Sequence, residues 1–419
     1  MLKPANHRTW LTARRLRAHG ILLGVTIWSI YLWVLATPGW RDRNGNLKGT
    51  DFLHLYTLGT VAVEHRGGDL YDMNAQATLA ARRVPAAAGI RYLPLYPPQV
   101  SLFLMPLAHF SYGWALAVWW IFSGLVYGTC CYSGWRMCPQ LRGHGWTVAL
   151  LAAALPAFFH LIAWGQTSAV ALAIFTLAFF LLRERREFLA GLTLGCLIFK
   201  PQLGLAVAIV FIAVGAWKTV AAALLSAGVQ LAAGVLYYGM EPLRAWLRML
   251  SHVQEVLPLF EPRPYQTHCL RTFWAMIVPW HNLSFLLYGI SLVLVLAGTI
   301  AVWSRPVPLC LRYSALLLAT VLVAPHLTVY DLVILVPAML LVAEWLLTQS
   351  LSAENRHIGT LLYLTYVLPL LGPLARWTHV QVSVVAMSAL LYLIFRARTA
   401  PKETAQTTED TKVHEGLPC

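Results

Sequence analysis

Three short segments of this 419-residue chain put charged or amide side chains where the flanking sequence is apolar. They are Trp164-Gly165-Gln166, Lys200-Pro201-Gln202, and the stretch from Pro325 through His326 to Asp331. A charge at the centre of a bilayer costs roughly 2.5–3.5 kcal/mol on insertion scales, so Lys200 and Asp331 require partners or a wet cavity. A fourth segment, Gly49-Thr50-Asp51, opens an apolar stretch over 52–65 whose periodicity predicts a helix in the headgroup plane. Asp51 stands at its start, where the helix dipole favours an anion, either as a simple N-cap or as a reactive carboxylate. His54 follows one turn later, placed to orient Asp51 or to meet a ligand. Downstream, Asp72 reads as the N-cap of a helix over 73–83. Arg82, Arg83 and Arg91 read either as a solvated, headgroup-facing set or as phosphate ligands. Carboxylate, lysine, histidine and amide groups together describe a site for acid–base chemistry on an anionic ligand.

The elements that must position these groups are membrane helices. Hydrophobic residues make up 58% of the chain and charged residues 11%, about half the charge that covers a soluble domain. Crossing ~30 Å of hydrocarbon takes about 20 helical residues. Apolar runs of that order occupy 20–36, 114–134, 146–163, 167–182, 219–238, 284–303, 311–325, 328–347, 357–374 and 379–395. The run 99–110 is too short to span and reads as re-entrant or interfacial, and 188–216, broken at Lys200-Pro201, reads as a hairpin of two short helices. The seven cysteines show no metal-ligand or disulfide spacing. The net charge of +14 reports loop charge facing lipid headgroups rather than nucleic acid.

The positive-inside rule fixes the arrangement. With a basic N-terminus (1–19) in the cytoplasm, the arginines at 136, 142, 183, 185, 186, 305, 312, 356, 396 and 398 also fall inside. The expectation is an all-α polytopic protein with about twelve transmembrane helices in one unit over 20–397. Both termini are cytoplasmic, and 398–419 is a disordered tail. The first run reads as an uncleaved anchor rather than a cleaved signal peptide. Two long loops, 37–98 and 239–283, lie outside, joined there by the three polar turns. The first of these loops carries juxtamembrane helices.

An acidic residue after the first span, then Gly68-Asp69-Leu70-Tyr71-Asp72, Tyr96-Pro97-Pro98, Gly165-Gln166 and Lys200-Pro201, in that order, resembles glycosyltransferase family 87. Pro325-His326 is similar to the family's late loop, although the paired-histidine pattern is missing. The resemblance implies a GT-C-like fold in a bacterial inner membrane and an extracytoplasmic active site. It implies a polyprenyl-phosphate sugar donor, with mannose as the default, and a lipid or glycan hydroxyl acceptor. Asp51 maps onto the expected catalytic base.

The chemistry agrees with that mapping. A glycoside leaving group needs a general acid, whereas a polyprenyl phosphate leaves unprotonated, so one base and a set of cations suffice. Lys200, His326, Arg82, Arg83 and Arg91 are the candidates for the phosphate. His54, Tyr71, Tyr96, Gln166 and Gln202 are the candidates for acceptor or sugar. No cofactor is expected: Asp69 and Asp72 joining Asp51 around a divalent cation is the less favoured reading, since hard cations want several oxygen ligands. A transporter or flippase of lipid-linked sugars, an O-antigen-ligase-like transferase and a membrane scaffold are the competing readings. Transporters commonly show two related halves, and no internal repeat is visible here.

Overall fold

The computed structural model describes residues 11–253, 255, 261, 263–350 and 352–397; the tail expected over 398–419 lies outside them. Helices dominate these residues, and pairing between extended segments is confined to the isolated bridges Arg41–Leu47 and Thr267–Thr328. The helix Leu309–Val323 is predominantly apolar and buries 13 of its 15 residues, which places it at the centre of the bundle. Around it pack Pro201–Ala213, His281–Trp303, Val336–Thr348 and Val382–Arg396. The outer helices turn apolar side chains outward, with Leu22 68%, Leu236 87% and Leu294 67% exposed. Surfaces of this kind suit lipid rather than water.

Among the described residues, six helices are long and apolar enough to cross a membrane, or seven if the pair Gln140–Ala153 and Pro156–Trp164, bent by 46°, is one span. The expected dozen is not reached on length and composition. The remaining apolar runs fold as shorter helices, among them Ser168–Arg183, Leu309–Val323 and Val382–Arg396. The region 188–216 does break at Lys200, into Glu187–Phe199 and Pro201–Ala213. The region 99–110 becomes a short helix, Gln99–Leu104, and a 3-10 turn, Met105–His109.

The Glu187–Gly195 helix lies tightly along Trp217–Tyr238 through two glycines one turn apart. A Cβ on Gly191 would run into the Thr219 carbonyl, and one on Gly195 into that of Ala223. Small residues at this spacing let helix backbones approach without side chains between them. Replacing Gly195 by Leu is expected to lower the thermal unfolding midpoint in detergent, at a cost of about 1–3 kcal/mol or more from overpacking.

The first long loop, 37–98, is a packed module. Its helix Phe52–Val63 buries 11 of 12 residues against Gln99–Leu104, Met105–His109 and Met73–Arg83. The expectation of an amphipathic helix in the headgroup plane is therefore corrected. Thr57 and Thr60 look polar in sequence but donate to the Leu53 and Tyr56 carbonyls of their own helix, at 2.8 and 2.9 Å, and so bury at low cost. Gly59 lets the Leu104 backbone cross the helix. The helix Met73–Arg83 falls where expected, with the Asp72 carboxylate accepting from the backbone N–H of Asn74 and Ala75.

Candidate active site

The three polar turns each end or start a helix by a local device. Gly165 takes a left-handed conformation (φ 66°) after Pro156–Trp164, and a Cβ there would sit 2.6 Å from that of Phe52. Pro201 occupies the first turn of Pro201–Ala213, where its missing N–H costs nothing. Pro325 follows the end of Leu309–Val323. These stops bring Gln166, Lys200 and the 326–331 segment to one place, against the first-loop module.

A cavity of about 840 Å³ opens there. Asp51, His54, Arg91 and Tyr96 line it from the first loop; Gln166, Lys200, Gln202 and His326 line it from the turns. Asp51 is positioned at the helix start, yet its carboxylate makes no capping bond. Instead Oδ2 accepts from Gln166 Nε2 at 2.7 Å, and Gln166 Oε1 lies 3.4 Å from the Tyr96 hydroxyl, which also meets Thr167 Oγ1 at 3.2 Å. Burial pushes the Asp51 carboxyl up to about 6, with the Gln166 hydrogen bond and the Lys200 charge opposing the rise. His54 is held down to about 4 by burial and is neutral. Its ring stacks on Tyr92 with centroids 5.3 Å apart, and the Gln76 side chain beside it opposes that lowering. The expected bond between His54 and Asp51 is not formed.

Lys200 and Asp331 satisfy each other. The ammonium lies 2.8 Å from Asp331 Oδ1 and 3.2 Å from Ser168 Oγ, and 5.2 Å above the Tyr330 ring. Ser168 Oγ donates to the same Asp331 oxygen at 2.5 Å. His326 Nδ1 is 2.6 Å from Glu261 Oε1, and Glu261 also pairs with Arg271. Burial works to raise the Glu261 carboxyl, but the His326 bond and the Arg271 charge outweigh it and hold it below the usual range. Residues of the second long loop are thus fastened to the 325–328 turn, with His268 N–H donating to the Leu327 carbonyl at 2.8 Å and Arg271 Nε to that of Pro325.

Three expected site residues stand elsewhere. Arg82 is paired with Glu64, and Arg83 donates to the Tyr56 hydroxyl at 2.8 Å and to the Ala108 carbonyl; both tie the first-loop module together. Tyr71 donates to the Tyr96 carbonyl at 2.9 Å, holding the backbone of a lining residue without lining the cavity itself. Asp69 pairs with Arg66. By contrast, Arg91 and Arg263 line the cavity at its exposed edge, and among the described residues neither guanidinium has a hydrogen-bond or ion-pair partner. Arg91→Ala is expected to raise the Michaelis constant for an anionic substrate several-fold, while Arg82→Ala leaves it unchanged; steady-state kinetics on the two variants checks this.

Sequence reasoning placed Asp331 in one of the polar turns without giving it a catalytic or binding role, and assigned none to Glu261 or Ser168. Asp331 had a signal, because a lysine between apolar helices demands an anion. Glu261 sits in a loop with no periodicity and had none.

The bundle and cavity define a polytopic membrane protein with a site lined by a carboxylate and cations beneath its two long loops. The sequence matches the model of glycosyltransferase family 87 over residues 95–335, more than half of the chain, and the protein belongs to that family. It is a membrane glycosyltransferase. The matched segment contains Tyr96, Gln166, Lys200, His326 and Asp331, while Asp51 precedes it. No curated protein and no solved structure shows a significant match.

Proposed function

We propose that the enzyme transfers a single sugar, mannose by default, from a polyprenyl-phosphate donor to a hydroxyl of a lipid or glycan acceptor. Transfer occurs on the extracytoplasmic face of a bacterial inner membrane, in a GT-C-like fold with both termini cytoplasmic. Asp51 is the general base. The acceptor O–H gives its proton to the Asp51 carboxylate, the new bond forms from that oxygen to the anomeric carbon, and the bond to phosphate breaks with its electron pair leaving on the phosphate. Displacement at the anomeric carbon inverts its configuration. No general acid is required, because the phosphate departs as an anion. Arg91 and Arg263 at the cavity edge meet the incoming phosphate, and Lys200 and His326 complete its surroundings. His54, Tyr96, Gln166 and Gln202 face sugar or acceptor, and the reading asks for no cofactor.

The observation that carries the reading is the Asp51 carboxylate. It is unspent on its own helix, bonded on one oxygen by Gln166, and set in a cavity whose edge bears Arg91 and Arg263. The test is turnover by purified protein in proteoliposomes given a panel of polyprenyl-phosphate sugars beside nucleotide sugars. A new glycosidic product from a lipid-phosphate donor supports the reading. Product from nucleotide sugars alone, or transbilayer movement of the lipid without a new bond, removes it.

A further inference from the structure

The helices that carry the catalytic cavity at one end enclose a second chamber at the other. Tyr330 and Asp331 line the first cavity, whereas the helix that follows them, Val336–Thr348, lines the second along its length. Likewise Trp164 faces the first, and residues 144–155 of the same bent helix pair face the second. The second chamber holds about 730 Å³, and its walls are overwhelmingly apolar, with Leu151, Leu155, Leu340 and Leu362 among them.

Its charge is one-sided. Among the described residues, the lining contains His144 and Arg356 and no carboxylate. Arg356 is half-buried, and among the described residues neither its guanidinium nor the His144 ring has a hydrogen-bond or ion-pair partner. The carboxylates nearby in sequence do not line the chamber. Glu344 is buried and accepts from the backbone N–H of Gln140 and Leu141 at 3.0 and 3.1 Å. Glu354 is exposed and outside the lining. An apolar chamber of this size with a few polar groups in its lining has the form of a ligand site. Basic pockets between membrane helices take anionic lipid headgroups.

We infer that this chamber is a binding site for an anionic phospholipid, one acyl chain lying within the apolar walls and the headgroup phosphate at Arg356 and His144. The site is separate from the donor site, and the inference does not depend on the identity of the transferred sugar.

Delipidated protein would be given phosphatidylglycerol or phosphatidylcholine with the same acyl chains, and retained lipid counted by native mass spectrometry. Wild type is expected to retain phosphatidylglycerol preferentially, by roughly fivefold for the arginine engaged. Arg356→Gln with His144→Gln should lose that preference. Gly359 lines the chamber, and a Cβ there meets only Leu346 at ordinary contact distance, 3.7 Å. Gly359→Leu should therefore fold, as judged by its unfolding midpoint, and yet retain neither lipid. Equal retention of the two lipids by wild type overturns the inference. So does a photo-crosslinker at 359 that captures the first ten residues of the chain itself instead of lipid.

Discussion

Replacing Asp51 by Asn is expected to lower kcat by roughly 10²–10⁴-fold, the range a positioned general base supplies, while the Michaelis constant for the donor stays within a few-fold. The amide oxygen of Asn still accepts from Gln166 Nε2, so the local geometry survives and the lost function is the basicity. Two further readouts follow from the raised carboxyl. In the wild type, with that group near 6, kcat/KM should fall about tenfold per pH unit below that value, because only the ionised form takes a proton. The variant should show no such limb. Stability should move the other way. A carboxyl whose folded value lies above its unfolded one, about 3.9, costs stability progressively as pH rises from the unfolded value through the folded one. Removing its charge should then raise the unfolding midpoint at pH 7, an effect on the order of 1–3 kcal/mol. An Asp51→Asn enzyme that is more stable and nearly inactive identifies a carboxylate kept for chemistry. A variant that keeps full activity ends the assignment.

The parts of the fold that were legible in sequence are those set by local signals. Asp72 caps its helix because a short carboxylate two residues ahead of free N–H groups does so in almost any context. The breaks at Gly165 and Pro201 follow from backbone chemistry alone. What stayed hidden depends on partners distant in the chain. Arg82, Arg83 and Arg91 are indistinguishable as letters, yet Glu64 and Tyr56 claim two of them and leave the third at the cavity. The Phe52–Val63 helix read as half polar because nothing in its own sequence shows that its threonines bond inward. The expected count of about twelve spans is not reached on length and composition for a related reason: a helix inside a bundle, such as Leu309–Val323, is solvated by its neighbours and can be shorter than one that faces lipid alone.

Lys200 offers a sharper separation of structure from function than any single substitution at the site. Its ammonium has three protons; one is directed to Asp331 and another to Ser168, all within a buried pair. Lys200→Met removes the cation and strands the Asp331 carboxylate, 3% exposed, with only hydroxyl donors beside it. Breaking a buried pair this way typically costs 3–5 kcal/mol, because the remaining charge is uncompensated. The single variant should therefore unfold early in detergent, and its inactivity alone would say nothing about catalysis. The double variant Lys200→Met with Asp331→Asn removes both charges and should recover most of the lost stability. If Lys200 serves only to neutralise Asp331, activity returns with the fold. If the ammonium also meets the departing phosphate, the refolded double variant stays at least on the order of 10²-fold down in kcat, the scale of a lost electrostatic contact in the transition state. Unfolding curves and single-turnover rates measured on the same preparations decide between the two.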